Sequence, residues 1–311
     1  MLYGVGSSLS VVIPAFNEAA GIEGTVQRVL SSLADGEGGA ELVIVDDGST
    51  DETWRVLCEL ADRYEAVVPI RHSANYGVDA AVASGVRAAA GSCIVTFDAD
   101  LTYDPALIPR LAAVLDEAGA QIVLASAYMR GGRVSGVPWV RRCCSLWANR
   151  YLSLATKGAI ATLTCLVRAY DAQLVRRLID ENDSIETTYG LLFAALSAGA
   201  RVVEIPAHLD WSHQPKERVQ RLAWRRIAQR ISLVAIAGAR YRRSLLLAVP
   251  GLVPGLVPLV VLAAALFHAS AAQIAALALG TFILQCVSLA LGSLQIGHFA
   301  FRRHSEATTC R

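Results

Sequence analysis

The sequence predicts an α/β fold, with a mostly parallel, Rossmann-like sheet flanked by helices, followed by an interfacial helix and a transmembrane helical hairpin. Two observations carry this. Short β-branched runs alternate with longer helical patterns over the first 125 residues, and the apolar excess collects after about residue 244. Buried strands are read at residues 9–13, 41–45, 67–70, 93–97 and 121–125, where the runs are short and nearly all apolar. Between them, residues 22–33, 51–64, 79–90 and 105–117 are each long enough for three helical turns. The run Ser49-Thr50-Asp51-Glu52 has the spacing of a capping box at a helix start. Strands alternating with helices form parallel sheets covered on both faces, and their ligands lie beyond the carboxyl ends of the strands. Residues 126–215 are less regular, with a turn at Gly131-Gly132, a helix over 139–155 and a strand over 202–205.

The 311 residues carry a net charge of +1, so no global field points to nucleic acid as a partner. Hydrophobic residues make up 54% of the chain, and the mean hydropathy is +0.43, high for a soluble enzyme. The expected organisation is a catalytic body over 1–215, a basic amphipathic juxtamembrane helix over 216–243, and two transmembrane helices with a short basic tail over 244–311. The seven cysteines show no C-x-x-C pair and read as free thiols in a reducing compartment, with the Cys143–Cys144 doublet serving packing. Residues 1–8 lack a basic start and an apolar core, so no signal peptide is read there.

From 217 to 234 the pattern is two-faced. Arg218, Arg221 and Arg225 gather on one side, and Trp224, Ile227, Ile231 and Val234 on the other. Such a helix also suits packing on its own domain, but its continuity with the apolar tail favours a place in the membrane interface. Residues 244–267 and 271–296 contain no Asp, Glu, Lys or Arg, and each exceeds the roughly 20 residues that a spanning helix needs. Pro250, Pro254 and Pro258 kink the first without forbidding it. Arg240, Arg242 and Arg243 precede the pair, and Arg302 and Arg303 follow it. Positive-inside bias then puts both termini and the catalytic body in the cytoplasm, with the chain integral to the cell's inner membrane. Association of copies through the spans is a further expectation.

The sharpest chemical feature is Phe97-Asp98-Ala99-Asp100, an apolar strand ending in acids at i and i+2. On a strand, that spacing puts both carboxylates on one face. Two carboxylates so close repel, and a divalent cation relieves this. Mg²⁺ or Mn²⁺ takes one or two protein carboxylates and completes its shell with phosphate and water oxygens. Such an ion neutralises charge on a departing diphosphate. An isolated Asp-x-Asp also occurs in surface turns, so its neighbours decide. The second strand ends in Val45-Asp46-Asp47-Gly48-Ser49 and the first in Pro14-Ala15-Phe16-Asn17-Glu18. Three strand ends deliver polar groups to one rim, which reads as a nucleotide pocket. For Asp47 taken singly, a helix-capping or turn role is equally open.

The runs PAFNEA, VDDGSTDET, NYGVDAA and FDADLTYDP, in that order and spacing, resemble family 2 glycosyltransferases of the A-type fold. The later LTCLVRAYDAQLV and SIETTYGLLFAALSAGARVVEIP, followed by a basic segment and two spans, resemble the polyprenyl-phosphate branch, which includes dolichyl-phosphate mannosyltransferase-like enzymes. The resemblance implies inverting transfer of a sugar from a nucleotide-sugar, with Asp98 and Asp100 on the metal and diphosphate. It also implies that Pro14, Ala15, Asn17, Glu18, Asp46 and Asp47 contact base and ribose. Arg168 is implied to approach the phosphates or the acceptor head. Two departures stand out: Thr102 where many relatives have Gln, and Ala127 where relatives often have Arg, a place that Arg130 or Arg133 could fill.

The acceptor determines the mechanism. A sugar hydroxyl must lose a proton to a positioned base. A lipid phosphate is already anionic near neutral pH and needs only cationic guidance. Arg133, Arg168, Lys216 and Arg218 are the candidates to hold it, and Glu186 is the candidate base if one is needed. The partners expected are therefore a nucleotide-sugar donor, a polyprenyl phosphate or other lipid acceptor, and the membrane. Transfer to another lipid or glycan hydroxyl, and a catalytically silent nucleotide-sugar binder, are the competing readings.

Overall fold

The computed structural model describes residues 8–34, 39–156, 158–181 and 188–214. The chain divides into two compact units, 1–229 and 230–311, and every described residue belongs to the first. The juxtamembrane helix, both apolar runs, Glu186, Lys216 and Arg218 lie outside the described residues.

The amino-terminal half runs β1 (Leu9–Ala15), α1 (Ile22–Leu33), β2 (Ala40–Asp46), α2 (Thr53–Arg63), β3 (Val67–Arg71), α3 (Val78–Ala88), β4 (Cys93–Thr96), α4 (Leu107–Glu117) and β5 (Ile122–Ser126). Each predicted strand and helix is there, with ends shifted by a residue or two. The strands are long apolar runs because helices cover both faces of the sheet. Val11, Val12, Ile13, Val43, Ile44 and Val45 have no exposure at all. Helix α1 buries Ile22, Val26, Val29 and Leu33, a single stripe at helical spacing. Helix α3 lies so close to β1 that a Cβ on Gly85 would stand 2.3 Å from a Val12 methyl.

The sequence expectation for residues 126–215 was incomplete. The expected helix and strand are present as α5 (Trp139–Ala155) and β8 (Val202–Pro206), and the structure adds β6 (Arg133–Ser135), β7 (Arg168–Asp171), α6 (Ala172–Glu181), α7 (Thr188–Ser197) and β9 (His208–Asp210). The main sheet has the order β3-β2-β1-β4-β7-β5-β8, and β6 pairs with β9 in a separate parallel ribbon. Strand β7 is antiparallel to both β4 and β5, whereas all other neighbours in the main sheet are parallel. Strand β7 reads Arg-Ala-Tyr-Asp, with a charge at each end, so it lacks the apolar run that marks the equally short β4 (Cys-Ile-Val-Thr) in the sequence. The chain moves outward from β1 through β2 to β3 and returns on the other side as β4. The switch between β1 and β4 opens a crevice at their carboxyl ends.

The capping box is not formed. Ser49 turns its hydroxyl to the N–H of Asn17 instead (2.9 Å), and Asp51 takes the amide and hydroxyl of Thr53 at 3.0 and 2.5 Å. The cysteine doublet is likewise not packed away, since Cys143 is exposed on α5. Burial pushes the Cys93 thiol up to about 12 and the Cys165 thiol up to about 11, so both stay neutral at physiological pH.

Arg168, on β7, is fully buried. Its Nε donates to the Cys165 carbonyl and its Nη2 to the Leu163 carbonyl, both at 2.7 Å. The approach to phosphate implied by the resemblance is therefore corrected. The guanidinium is turned inward onto backbone that no strand satisfies. Replacing it with Met leaves those carbonyls without donors, at about 1–3 kcal/mol per orphaned group. We expect Arg168→Met to lower the melting temperature by several degrees, and Arg168→Lys to recover only part of the loss, because an ammonium lacks the fork. Thermal melting of the full chain measures both.

Candidate active site

The rim beyond β1, β2 and β4 is built loop on loop. After β1 the chain turns through Asn17, whose φ of 55° is rare for a residue with a side chain. The turn is held by its neighbour. Asn17 Oδ1 accepts the Thr50 N–H (2.9 Å), Glu18 N–H reaches the Thr53 hydroxyl (2.9 Å), and Ala19 N–H reaches Asp51 (3.2 Å). Burial opposes ionisation of Asp51, yet its hydrogen bonds from Thr53 and Ala19 hold the carboxyl below its ordinary value. Asn17 is thus a clasp between two loops. Pro14 is half-buried and Ala15 buried, while Phe16 is 42% exposed at the rim.

The two acids that end β2 divide their work. Asp47 is buried, and its Oδ1 accepts from the Tyr76 N–H at 2.9 Å and meets His72 Nδ1 at 2.8 Å. Its Oδ2 accepts the Gly77 N–H at 2.7 Å. Of the two roles open to Asp47, the structure shows the turn-holding one: it fixes residues 72–77 ahead of α3. Gly48 permits this close approach, since a Cβ there would sit 2.4 Å from the Ala74 carbonyl carbon, and its φ is +68°. Asp46 is also fully buried, and its Oδ1 accepts the Ser49 N–H at 2.9 Å. Its Oδ2 has no hydrogen-bond partner, and the half-exposed Arg71 stands 3.5 Å away.

Asp98 and Asp100 are not on the strand. Strand β4 ends at Thr96, and the two acids occupy the turn that follows, so the shared strand face does not apply. The turn itself holds them. Leu101 has φ 53°, Thr102 N–H donates to Asp100 Oδ1 (3.1 Å), and the Thr25 hydroxyl of α1 holds the Ala99 carbonyl (2.8 Å). Gln214 Nε2 donates to the Asp100 carbonyl (2.7 Å), and Asp210 N–H to that of Thr102 (2.8 Å). Thr102 is buried, so its side chain is packed, not presented as a metal ligand. Burial drives the Tyr103 phenol well above its ordinary range, with Cys165 and the charge of Asp98 adding to the rise. Both acids stay partly exposed. Among the described residues no group of three or more His, Cys, Asp and Glu gathers around a metal position. Two hard carboxylates without a protein cage suit an ion that shares its shell with phosphate oxygens.

Residues 160–166, which reach Tyr103 through Cys165, form a segment with no ladder of its own. Glu204 accepts the amides of Ala161 and Thr162 (2.7 and 2.8 Å), and Asn149 Oδ1 accepts those of Leu163 and Thr164 (2.8 and 3.0 Å). Thr25, Asp51, His72, Asn149, Glu204 and Gln214 were not singled out from the sequence. Gly48, directly after the two acids that end β2, is the signal in the sequence that could have pointed to the close loop approach. Arg133 is exposed on β6, tied into the ribbon by its N–H to Ala207, so it neighbours the rim without a ligand role of its own being shown. Asp47→Ala removes a charged acceptor from two amides, a loss of about 1.5–3 kcal/mol. We expect hydrogen exchange at Tyr76 and Gly77 to quicken by at least about tenfold while the core of β1 stays protected.

Residues 10–180 match the family model for glycosyl transferase family 2, a span that takes in all three acidic strand ends. Two solved structures share the fold. The mannosyltransferase PcManGT from Pyrobaculum calidifontis, solved with GDP-Man and Mn²⁺, is 19% identical, with 93% of this chain and 86% of that one covered and a TM-score of 0.53. Glucosyl-3-phosphoglycerate synthase from Mycobacterium tuberculosis, solved with Mn²⁺, UDP-glucose and phosphoglyceric acid, is 20% identical, with 76% and 81% covered and a TM-score of 0.52. With the family model spanning more than half of the sequence and the acids it covers brought to one crevice, the protein belongs to glycosyl transferase family 2 and is a glycosyltransferase.

Proposed function

We propose that the protein transfers a sugar, with inversion, from a nucleotide-sugar to a membrane lipid acceptor, most specifically a polyprenyl phosphate. The observation that carries the donor half is the switch point between β1 and β4, at whose carboxyl ends the loops after β1, β2 and β4 bring their acids to one edge of the sheet. Asp46 Oδ2, buried and without a hydrogen bond, is an acceptor suited to a base N–H or a ribose hydroxyl. Pro14 and Ala15 lie in register with Val45 and Asp46, and together with Glu18, three residues on, they are the further candidates for that contact. Asp98 and Asp100 would hold a divalent cation, Mg²⁺ or Mn²⁺, which when bound supplies positive charge to the leaving diphosphate. The two fold relatives solved with Mn²⁺ and a nucleotide-sugar support the same reading.

The acceptor half rests on the sequence: a basic segment at 216–243 carrying Lys216 and Arg218, two uncharged apolar runs behind it, and Arg clusters at both ends. These support a membrane anchor with the catalytic body and both termini on the cytoplasmic side of the inner membrane. An anionic phosphate oxygen attacks the anomeric carbon from the face opposite the diphosphate, forming the new glycosyl–phosphate bond as the old one breaks. No proton need be removed from the nucleophile in that step. A glycan or lipid hydroxyl would need a base, for which Glu186 is the candidate.

Membranes containing the full chain, incubated with a panel of labelled nucleotide-sugars and polyprenyl phosphate, should pass one label into the lipid phase. Label that enters only water-soluble product would overturn the acceptor. Asp98→Asn and Asp100→Asn should each cut transfer on the order of 10²-fold or more, as should EDTA, with unchanged melting. Glu186→Gln should fall well short of the roughly 10²- to 10⁴-fold that general-base catalysis contributes. A thousandfold loss there would move the acceptor to a hydroxyl.

A further inference from the structure

Between Glu117 and Asp171 the chain has no acidic residue, yet it carries Arg130, Arg133, Arg141, Arg142, Arg150, Lys157 and Arg168. The whole chain has a net charge of only +1, so this segment concentrates cations that the rest of the protein balances elsewhere. Helix α5 lies in its middle and has two contrasting sides. The inner side buries Asn149, Tyr151 and Leu152, and Asn149 grips the amides of Leu163 and Thr164. The outer side, at 100° per residue, presents Trp139, Arg142, Cys143, Arg150 and Leu154. Trp139 is 76% exposed and Leu154 56%. Neither Arg142 nor Arg150 forms an ion pair among the described residues.

A solvated helix face is ordinarily mixed in charge. This one pairs large apolar side chains with arginines and no acids over four turns. Trp and Arg together suit the boundary between lipid headgroups and acyl chains, where the ring is half-buried and the guanidinium meets phosphate. We propose that the outer face of α5 docks the catalytic body on an anionic lipid surface. Its occupant is identified by charge complementarity, because a long acid-free stretch is matched only by a surface that is itself negative. The amino-terminal end of the helix is tied to the active-site rim. Arg141 stacks 4.8 Å over Trp211, Ser135 bonds His208 at 2.7 Å, and the next residues of that ribbon hold the Thr102 carbonyl. Docking through this face sets how far the Asp98 turn stands from the headgroups. The inference is independent of which acceptor the enzyme uses.

Cys143 lies on the face and is exposed, so it can report directly. In the full chain with Cys58, Cys144, Cys286 and Cys310 changed to Ser, a polarity-sensitive fluorophore goes on Cys143. The buried Cys93 and Cys165 stay protonated and unreactive. With vesicles of phosphatidylcholine containing phosphatidylglycerol, the label should shift to the blue and be quenched by a headgroup-depth spin-labelled lipid. It should be protected from aqueous iodide. With phosphatidylcholine alone the protection should be lost. Arg142→Gln with Arg150→Gln should weaken docking on the order of tenfold or more, and Trp139→Ser should lessen the quenching, with melting unchanged in both. A label equally open to iodide in anionic vesicles and in detergent overturns the proposal. Protection that appears in detergent alone also overturns it, since a second copy or another part of the chain then covers the face. Assaying the same samples for transfer to polyprenyl phosphate separates the two ideas, because docking without transfer rejects the acceptor and leaves the face standing.

Discussion

A buried guanidinium joins the regular part of this fold to the irregular part. Residues 160–166 belong to no strand, so their buried backbone groups look for partners outside a ladder, and side chains supply many of them. Arg168 supplies donors to two of the carbonyls, Thr96 reaches a third at Leu166, and Asn149 and Glu204 accept four amides. Those side chains come from β4, α5, β7 and β8. The segment therefore ties the antiparallel insertion to its neighbours on either side. The arginine that the family resemblance points toward phosphate is here spent on two backbone carbonyls of this segment.

The rim follows the same physics with the signs exchanged. Carboxylates there accept backbone amides, so several acids that look available for substrate are engaged in holding loops. Asp47 and Asp51 are of this kind. Asp46 keeps one oxygen without a hydrogen bond, and Asp98 and Asp100 remain at the surface of the crevice. Among the described residues, the two other than glycine with left-handed backbone, Asn17 and Leu101, sit in the loops after β1 and β4. Backbone of that kind persists where surrounding bonds over-determine it, which here means the Ser49, Thr50 and Thr25 contacts. Preorganisation of this sort lets charge be stabilised without loops rearranging during transfer.

Helix α5 belongs to both themes. Its inner side fastens Leu163 and Thr164 through Asn149, and its outer side offers Trp139 and arginines to a negative surface. A docked helix would then position the site as a rigid extension of the surface it touches.

What the sequence by itself determined is the part governed by local pattern. Apolar runs of strand length and stripes of helical period are written in neighbouring residues, so β1 to β5, β8 and α1 to α5 were legible, as was the gathering of acids at three strand ends. The family followed from the same motifs. What only the tertiary structure decided depends on partners far apart in the chain. The insertion of β7 between β4 and β5, the inward turn of Arg168, and the use of Asp47 on Tyr76 and Gly77 rest on contacts that no local period encodes. An acid or an arginine carries the same charge whether it meets a substrate or a backbone amide. Burial and hydrogen bonding decide between the two, and both are properties of the folded chain.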